Sequence, residues 1–225
     1  MFVCVCLEYI MLFGDGSEAA KAAAELAKAS VRSTDNFNWT FITLLALVIV
    51  GVWIPQWKKK NYNGMAAALA LYGVHWLYEI GNAVICHYTG YALWHVSPAS
   101  TSFILLVGVS WELSLMFSIA GFMSVELLPE DKNMKILGIN NRIVFAIGNA
   151  LFFSVFEIFL ASTPAFIWVY TWWGALPVFI TTYIPFFLAA NIVYDLPPRT
   201  QMKFLAYLWG TVAVLLAVLI QQNII

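Results

Sequence analysis

Three carboxylates stand inside apolar stretches of this chain: Glu79 in ALALYGVHWLYEIGNAVIC, Glu112 in ILLVGVSWELSLMF and Glu157 in ALFFSVFEIFLA. On insertion scales an acidic side chain at the centre of a membrane helix costs about 2.5–3.5 kcal/mol. A sequence that keeps three must place them against a protein interior or a water-filled cavity. Glu79 is the best equipped. Tyr72, His75, Glu79, Asn82 and Cys86 follow one another at steps of three, four, three and four, so a helix would carry them as one stripe. His75 and Glu79, one turn apart, can share a proton. A carboxyl group beside an imidazole in an apolar site can keep its proton, because leaving water penalises the charged form. The bland alternative for the stripe is helix packing, with His75 bonded to a neighbouring carbonyl.

Asn149, Phe153 and Glu157 repeat at four-residue steps, with Ser154 beside them. Counting along the spans places Glu79 and Glu157 at similar depth and Glu112 near the middle of its own. All three are therefore expected around one pocket, with Tyr72, Trp76, Asn82, Trp111 and Asn149 as binding residues. Ser110, Ser114 and Ser118 share a helix face and read as close helix packing. A metal site would draw on His75, Glu79, Glu112 and Glu157. Di-metal bundles, however, use Glu-x-x-His pairs from two helices, and this chain has one His–Glu pair in the reverse order. His87 and His95 fall in or near a loop. No metal and no cofactor is expected. Phosphate-binding glycine loops and nucleophile elbows are absent, and no lysine lies mid-span for a retinal Schiff base.

The elements that must position these residues follow from composition. The 225 residues are 62% hydrophobic and 10% charged, against about 25% charged in a soluble domain. The surplus apolar surface must face lipid. The net charge of −1, without a basic block, sets nucleic acid aside as a partner. Cys4, Cys6 and Cys86 form neither a disulfide framework nor a zinc signature. The chain reads as an all-α, polytopic transmembrane helix bundle of about six spans: 38–56, 64–87, 101–127, 143–162, 165–193 and 203–221. The fifth is expected to kink at Pro177 and Pro185. Residues 1–37 form a separate N-terminal segment ahead of the transmembrane domain 38–225. Its apolar run 1–13 reads as interfacial, or as a seventh span if it inserts. The alanine-rich stretch 16–32, with Ser17 as N-cap, reads as a surface helix.

Eight of the eleven Lys and Arg residues fall in three alternate loops, 57–63, 128–142 and 194–203. The positive-inside rule places those loops in the cytoplasm. Trp39, Trp53, Trp57, Trp94, Trp168, Trp172 and Trp173 lie near span ends, as an interfacial belt would.

The segment KKKNYNGMAAALALYGVHWLYE, residues 58–79, resembles membrane-integral terpene cyclases of the fungal meroterpenoid type. That family has a basic loop, a Tyr-Gly-Met-Ala-like stretch and a span bearing Trp-Glu. Here Trp76 and Glu79 are three apart, whereas the adjacent pair is Trp111-Glu112. The resemblance implies seven spans and a second acid in the last one, where 203–221 has no carboxylate. His75-x-x-x-Glu79-x-Gly81 together with Glu112 also resembles the acidic pocket of emopamil-binding sterol isomerases. Both resemblances imply a buried acid that protonates an isoprenoid alkene or epoxide, with aromatic walls stabilising the cation.

The expected function is thus a membrane-embedded enzyme working on an isoprenoid or other lipid by acid-initiated isomerisation or cyclisation. Glu79 would be the acid, His75 its proton partner, and Glu112 or Glu157 the base or cation stabiliser. The rivals are a proton-coupled transporter using the same glutamates and an accessory subunit bound to a membrane-protein partner. The partners expected are the lipid bilayer and a hydrophobic small-molecule or lipid ligand.

Overall fold

The computed structural model describes residues 12–35 and 37–225. The apolar run 1–13, apart from its last two residues, lies outside them. Among the described residues the chain is helical, with three two-stranded ribbons in its connections.

Helix α1, Glu18–Ala29, begins where Ser17 accepts the Ala20 N–H at 3.0 Å. The cap satisfies one of the amides that a helix start leaves without a partner. Its small face, through the buried Ala24 and Ala27, sits on the first and last ribbon strands of the connecting loops. Lys28 reaches the Gly90 carbonyl at 2.9 Å, and the Arg32 N–H donates to the Ile104 carbonyl at 2.8 Å.

Six long helices follow: α2, Trp39–Lys58; α3, Tyr62–Thr89; α4, Trp111–Glu126; α5, Asn141–Ala161; α6, Ala175–Tyr194; and α7, Pro198–Gln221. Helices α5, α6 and α7 are long and apolar enough to cross a membrane. Helix α3 is the hub, touching α2, α4, α6 and α7. Its alanines Ala66, Ala67, Ala68 and Ala70 are buried. A Cβ at Gly121 of α4 would meet the Ala67 carbonyl oxygen at 2.8 Å, so the two backbones approach as closely as small residues permit.

The basic loops meet at one end of the bundle. There Arg142 binds Asp195 through two bonds, Nε to Oδ2 at 2.7 Å and Nη2 to Oδ1 at 2.9 Å. Asn191 donates to the Arg142 carbonyl at 2.8 Å. At the opposite end the strand β1, His95–Val96, pairs antiparallel with Phe166–Ile167 under α1.

Two span boundaries differ from the hydropathy reading. Residues 101–110 do not continue a third span. Ile104–Leu106 (β2) and Val109–Ser110 (β3) form a hairpin, and Ser110 caps α4 by accepting the Leu113 N–H at 3.2 Å. Ile104, Leu106 and Val109 are buried in the protein. A buried hairpin and a lipid-facing span have the same apolar composition, and periodicity over so few residues does not separate them.

Residues 165–174 likewise precede α6 as strand and loop. Pro177 lies in the first turn of α6, where a missing N–H is harmless. Pro185 follows a π-helical turn, Phe179–Tyr183. Because Pro185 has no N–H, it cannot bond the Thr181 carbonyl. The Tyr78 hydroxyl of α3 donates to that oxygen instead, at 2.7 Å. The tryptophan belt also divides. Trp39, Trp57 and Trp172 are exposed, whereas Trp94, Trp168 and Trp173 are buried among the connecting loops.

Candidate functional site

The stripe on α3 faces inward along its length. Tyr72 shares a hydrogen bond with Ser114 of α4 at 2.7 Å, which makes that serine a packing contact. His75 stacks on Phe117, centroids 4.1 Å apart, and its Nε2 lies 3.3 Å from Glu79 Oε1. That separation suits an ion pair, but neither ring nitrogen is aligned for a hydrogen bond with any group. Glu79 receives the Trp94 indole N–H, 3.2 Å from each carboxylate oxygen. Asn82 holds the loop that carries Trp94. Its Nδ2 donates to the Trp94 carbonyl at 2.8 Å, and its Oδ1 accepts the Leu93 N–H at 2.8 Å. Cys86 reaches the Gly90 carbonyl at the helix end.

Gly108, in the turn of the hairpin, closes over this pair. A Cβ there would stand 2.6 Å from Glu79 Oε2, so only glycine lets the backbone approach the carboxylate.

Glu157 comes from α5 and is also buried. Its neighbour is Tyr183, from the π-helical turn of α6. Glu157 Oε2 and Thr182 Oγ1 have no hydrogen-bond partner. His75, Glu79, Glu157, Thr182 and Tyr183 line one cavity of about 40 Å3, walled by Phe117, Phe153, Phe156 and Phe186. Phe156 and Phe159 on the same helix are exposed, so the α5 side of the cavity lies toward the outer surface of the bundle.

Two of the three carboxylates therefore converge, and the third does not. Glu112 is in the first turn of α4 rather than in mid-span. It accepts from Thr101 Oγ1 at 2.5 Å, from the Ser102 N–H at 2.7 Å and from Ser102 Oγ at 2.7 Å. With these donors it anchors the hairpin start, and it does not line the cavity. The expectation of a mid-span Glu112 fails because the span boundary it rested on is the hairpin.

Trp76 packs in the apolar cluster beside α7, and Trp111 is partly exposed. Asn149 Nδ2 donates to the Phe145 carbonyl one turn back, at 2.9 Å. None of the three lines the cavity. Tyr72 and Asn82 flank it by holding neighbours in place. Trp94, Gly108, Thr182 and Tyr183 were not legible as site residues. Trp94 and Gly108 sit in connecting segments, and only the fold brings them over Glu79. Among the described residues no group of three or more His, Cys, Asp and Glu is placed to hold a metal ion.

His95, which the sequence places in a loop, is fully buried in β1. Its Nε2 accepts the Ala92 N–H at 3.2 Å. Burial first, and then the charge of Lys28, push its pKa down to about 4.

No solved structure matches the chain. A protein of Archaeoglobus fulgidus, described as an uncharacterized protein, is 42% identical over 177 residues, or 77% of this chain and 83% of its own length. A family model described as an uncharacterized membrane protein family matches residues 20–221, and the chain belongs to that family.

Proposed function

We propose that the protein is a membrane-embedded enzyme that moves a double bond near the end of an isoprenoid or related lipid chain by acid-initiated isomerisation. The observation that carries this reading is that Glu79, its partner His75 and Glu157 open on one aromatic-walled cavity, with Glu157 on a helix long and apolar enough to cross a membrane.

In this reading Glu79 gives its proton to one alkene carbon. A C–H bond forms, the π bond breaks, and the neighbouring carbon becomes cationic between the faces of Phe117, Phe153 and Phe186. The Glu157 carboxylate takes a proton from the next carbon, which restores a double bond one position along the chain. Between turnovers Glu157 releases its proton to solvent and His75 passes a solvent proton back to Glu79, so each turnover takes up one proton and gives up one. A volume of about 40 Å3 suits the tip of a chain, whereas sites that enclose a whole small ligand hold roughly 300–1,000 Å3. The size favours isomerisation at a chain end over cyclisation, which needs the chain to coil inside. The body of the substrate would stay in lipid on the α5 side.

The same reading places loops 57–63, 128–142 and 194–203 in the cytoplasm, on the positive-inside rule. The cavity then lies in the outer half of the bilayer.

The test is deuterium exchange into lipid alkenes. Purified protein with its co-purifying lipids is incubated in heavy water and the lipids are analysed by mass spectrometry. The wild type should label one lipid species, Glu79→Gln and Glu157→Gln should abolish the label, and Glu112→Gln should retain it. Absence of label in every lipid, with proton flux into vesicles sensitive to Glu79→Gln, would replace the enzyme by a transporter.

A further inference from the structure

A second cavity of about 620 Å3 lies between the first turns of α3 and α7, at the basic end of the bundle. Its mouth is polar, formed by Lys60, Asn61, Asn63 and Gln201. Its floor is apolar, with Leu69 on one wall and Leu205 on the other. Each lies seven residues beyond the start of the cavity lining on its helix, about 10 Å along the axis at 1.5 Å per residue. The groove thus runs from the end of the bundle into its apolar zone, changing from polar to apolar over a distance that matches the upper part of a phospholipid.

Charge complementarity identifies the occupant. No Asp or Glu lines the groove. Lys58, Lys59 and Lys60 end α2 and enter the turn before α3, and Arg199 and Lys203 flank the α7 wall in sequence. Among the described residues the ion pairs of the chain involve Lys21, Lys28, His75 and Arg142, and none of these five cations. The nearby carboxylate, Asp195, is engaged by Arg142. Lys60 therefore lines an acyl-sized groove without an acidic partner, and four more such cations adjoin its lining in sequence. The groove mouth is also held in shape, because Gln201 Nε2 donates to the Val193 carbonyl at 2.9 Å and to Asn63 Oδ1 at 3.2 Å.

We infer that this groove binds one anionic glycerophospholipid, its phosphate against Lys60 and the neighbouring cations and one acyl chain between Leu69 and Leu205. The site is separate from the carboxylate cavity and does not rest on the proposed reaction. A basic pocket between membrane helices attracts anionic headgroups with about fivefold in affinity per cation near the surface.

The experiment is native mass spectrometry of the full chain released from vesicles of equal parts phosphatidylglycerol and phosphatidylcholine. The wild type should retain one phosphatidylglycerol, and Lys60→Glu, a change at an exposed side chain, should lower its retention at least about fivefold. Leu69→Trp, which fills the floor, should lower retention of both lipids. Equal retention of the two lipids by the wild type, or undiminished phosphatidylglycerol on Lys60→Glu, overturns the site. Displacement of the lipid by millimolar inorganic phosphate, with Leu69→Trp without effect, would make it a free-phosphate site and overturn the lipid assignment.

Discussion

The indole nitrogen of Trp94 lies 3.2 Å from both carboxylate oxygens of Glu79, tying a residue of the connecting loop to the middle of α3. This contact sets the position of the carboxylate that the proposed chemistry uses, and it decides how the loop and the helix depend on each other. Replacing Trp94 by Phe removes the donor that both oxygens share. A buried acceptor that loses its partner costs about 1–3 kcal/mol. Trp94→Phe should lower the midpoint of thermal unfolding in detergent. In a double-mutant cycle with Glu79→Gln the two losses should fall short of adding, since both remove the same bond.

Gly108 makes a sharper test because the disturbance is steric. Gly108→Ala puts a methyl group against Glu79 Oε2 and should cost about 1–3 kcal/mol as the hairpin backs away. Gly148 in α5, where an added Cβ meets nothing within 4 Å, is the control. Gly148→Ala should leave the unfolding midpoint unchanged or raise it slightly, as alanine is the better helix former. If the two variants unfold alike, the close approach over Glu79 is without consequence.

The Arg142–Asp195 pair joins the start of α5 to the end of α6 through a two-pronged fork. Lysine cannot reproduce that geometry. Asp195→Asn leaves a largely buried guanidinium without its counter-ion and should cost about 3 kcal/mol, and Arg142→Lys somewhat less. Chemical unfolding in mixed micelles measures both. Equal stability of Arg142→Lys and wild type would mean that charge alone, and not the fork, holds these helices.

His95 gives the stability a pH dependence. Its folded pKa of about 4 lies below the ordinary value of 6.5, so the unfolded chain binds the proton more readily. The contribution is fully present above about pH 6.5 and is lost as pH falls toward 4, up to about 3 kcal/mol. Unfolding midpoints measured between pH 7.5 and pH 4.5 should fall for the wild type and fall less for His95→Gln. Parallel curves for the two proteins would assign the acid sensitivity elsewhere.

The sequence exposed the parts of this site that carry an intrinsic penalty. Glu79 and Glu157 stood out because a carboxylate in an apolar run is tolerated only against an interior, and the stripe around Glu79 stood out because helical spacing aligns it. The tertiary parts were hidden. Glu112 looked equivalent to the other two until the hairpin at Ile104–Ser110 moved it to a helix start with hydroxyl and amide donors of its own. Trp94 carried no mark of its role, since nothing in an uncharged loop says which helix it will fold back onto. The π-helical turn beside Tyr183 was equally silent, because Pro185 announces a break in hydrogen bonding but not the side chain that repairs it.

The polar stripe of α3 has one more consequence, for biogenesis. Helices α5, α6 and α7 are apolar enough to enter a bilayer on their own account, and α3 is not among the helices that qualify by length and composition. During synthesis α3 emerges before Ser114, Phe117 and Trp94 exist to receive its tyrosine, imidazole and carboxylate. The helix that touches four others in the mature bundle is thus one that does not qualify as a span by itself, so its stable insertion should draw on the neighbours that follow it from the ribosome.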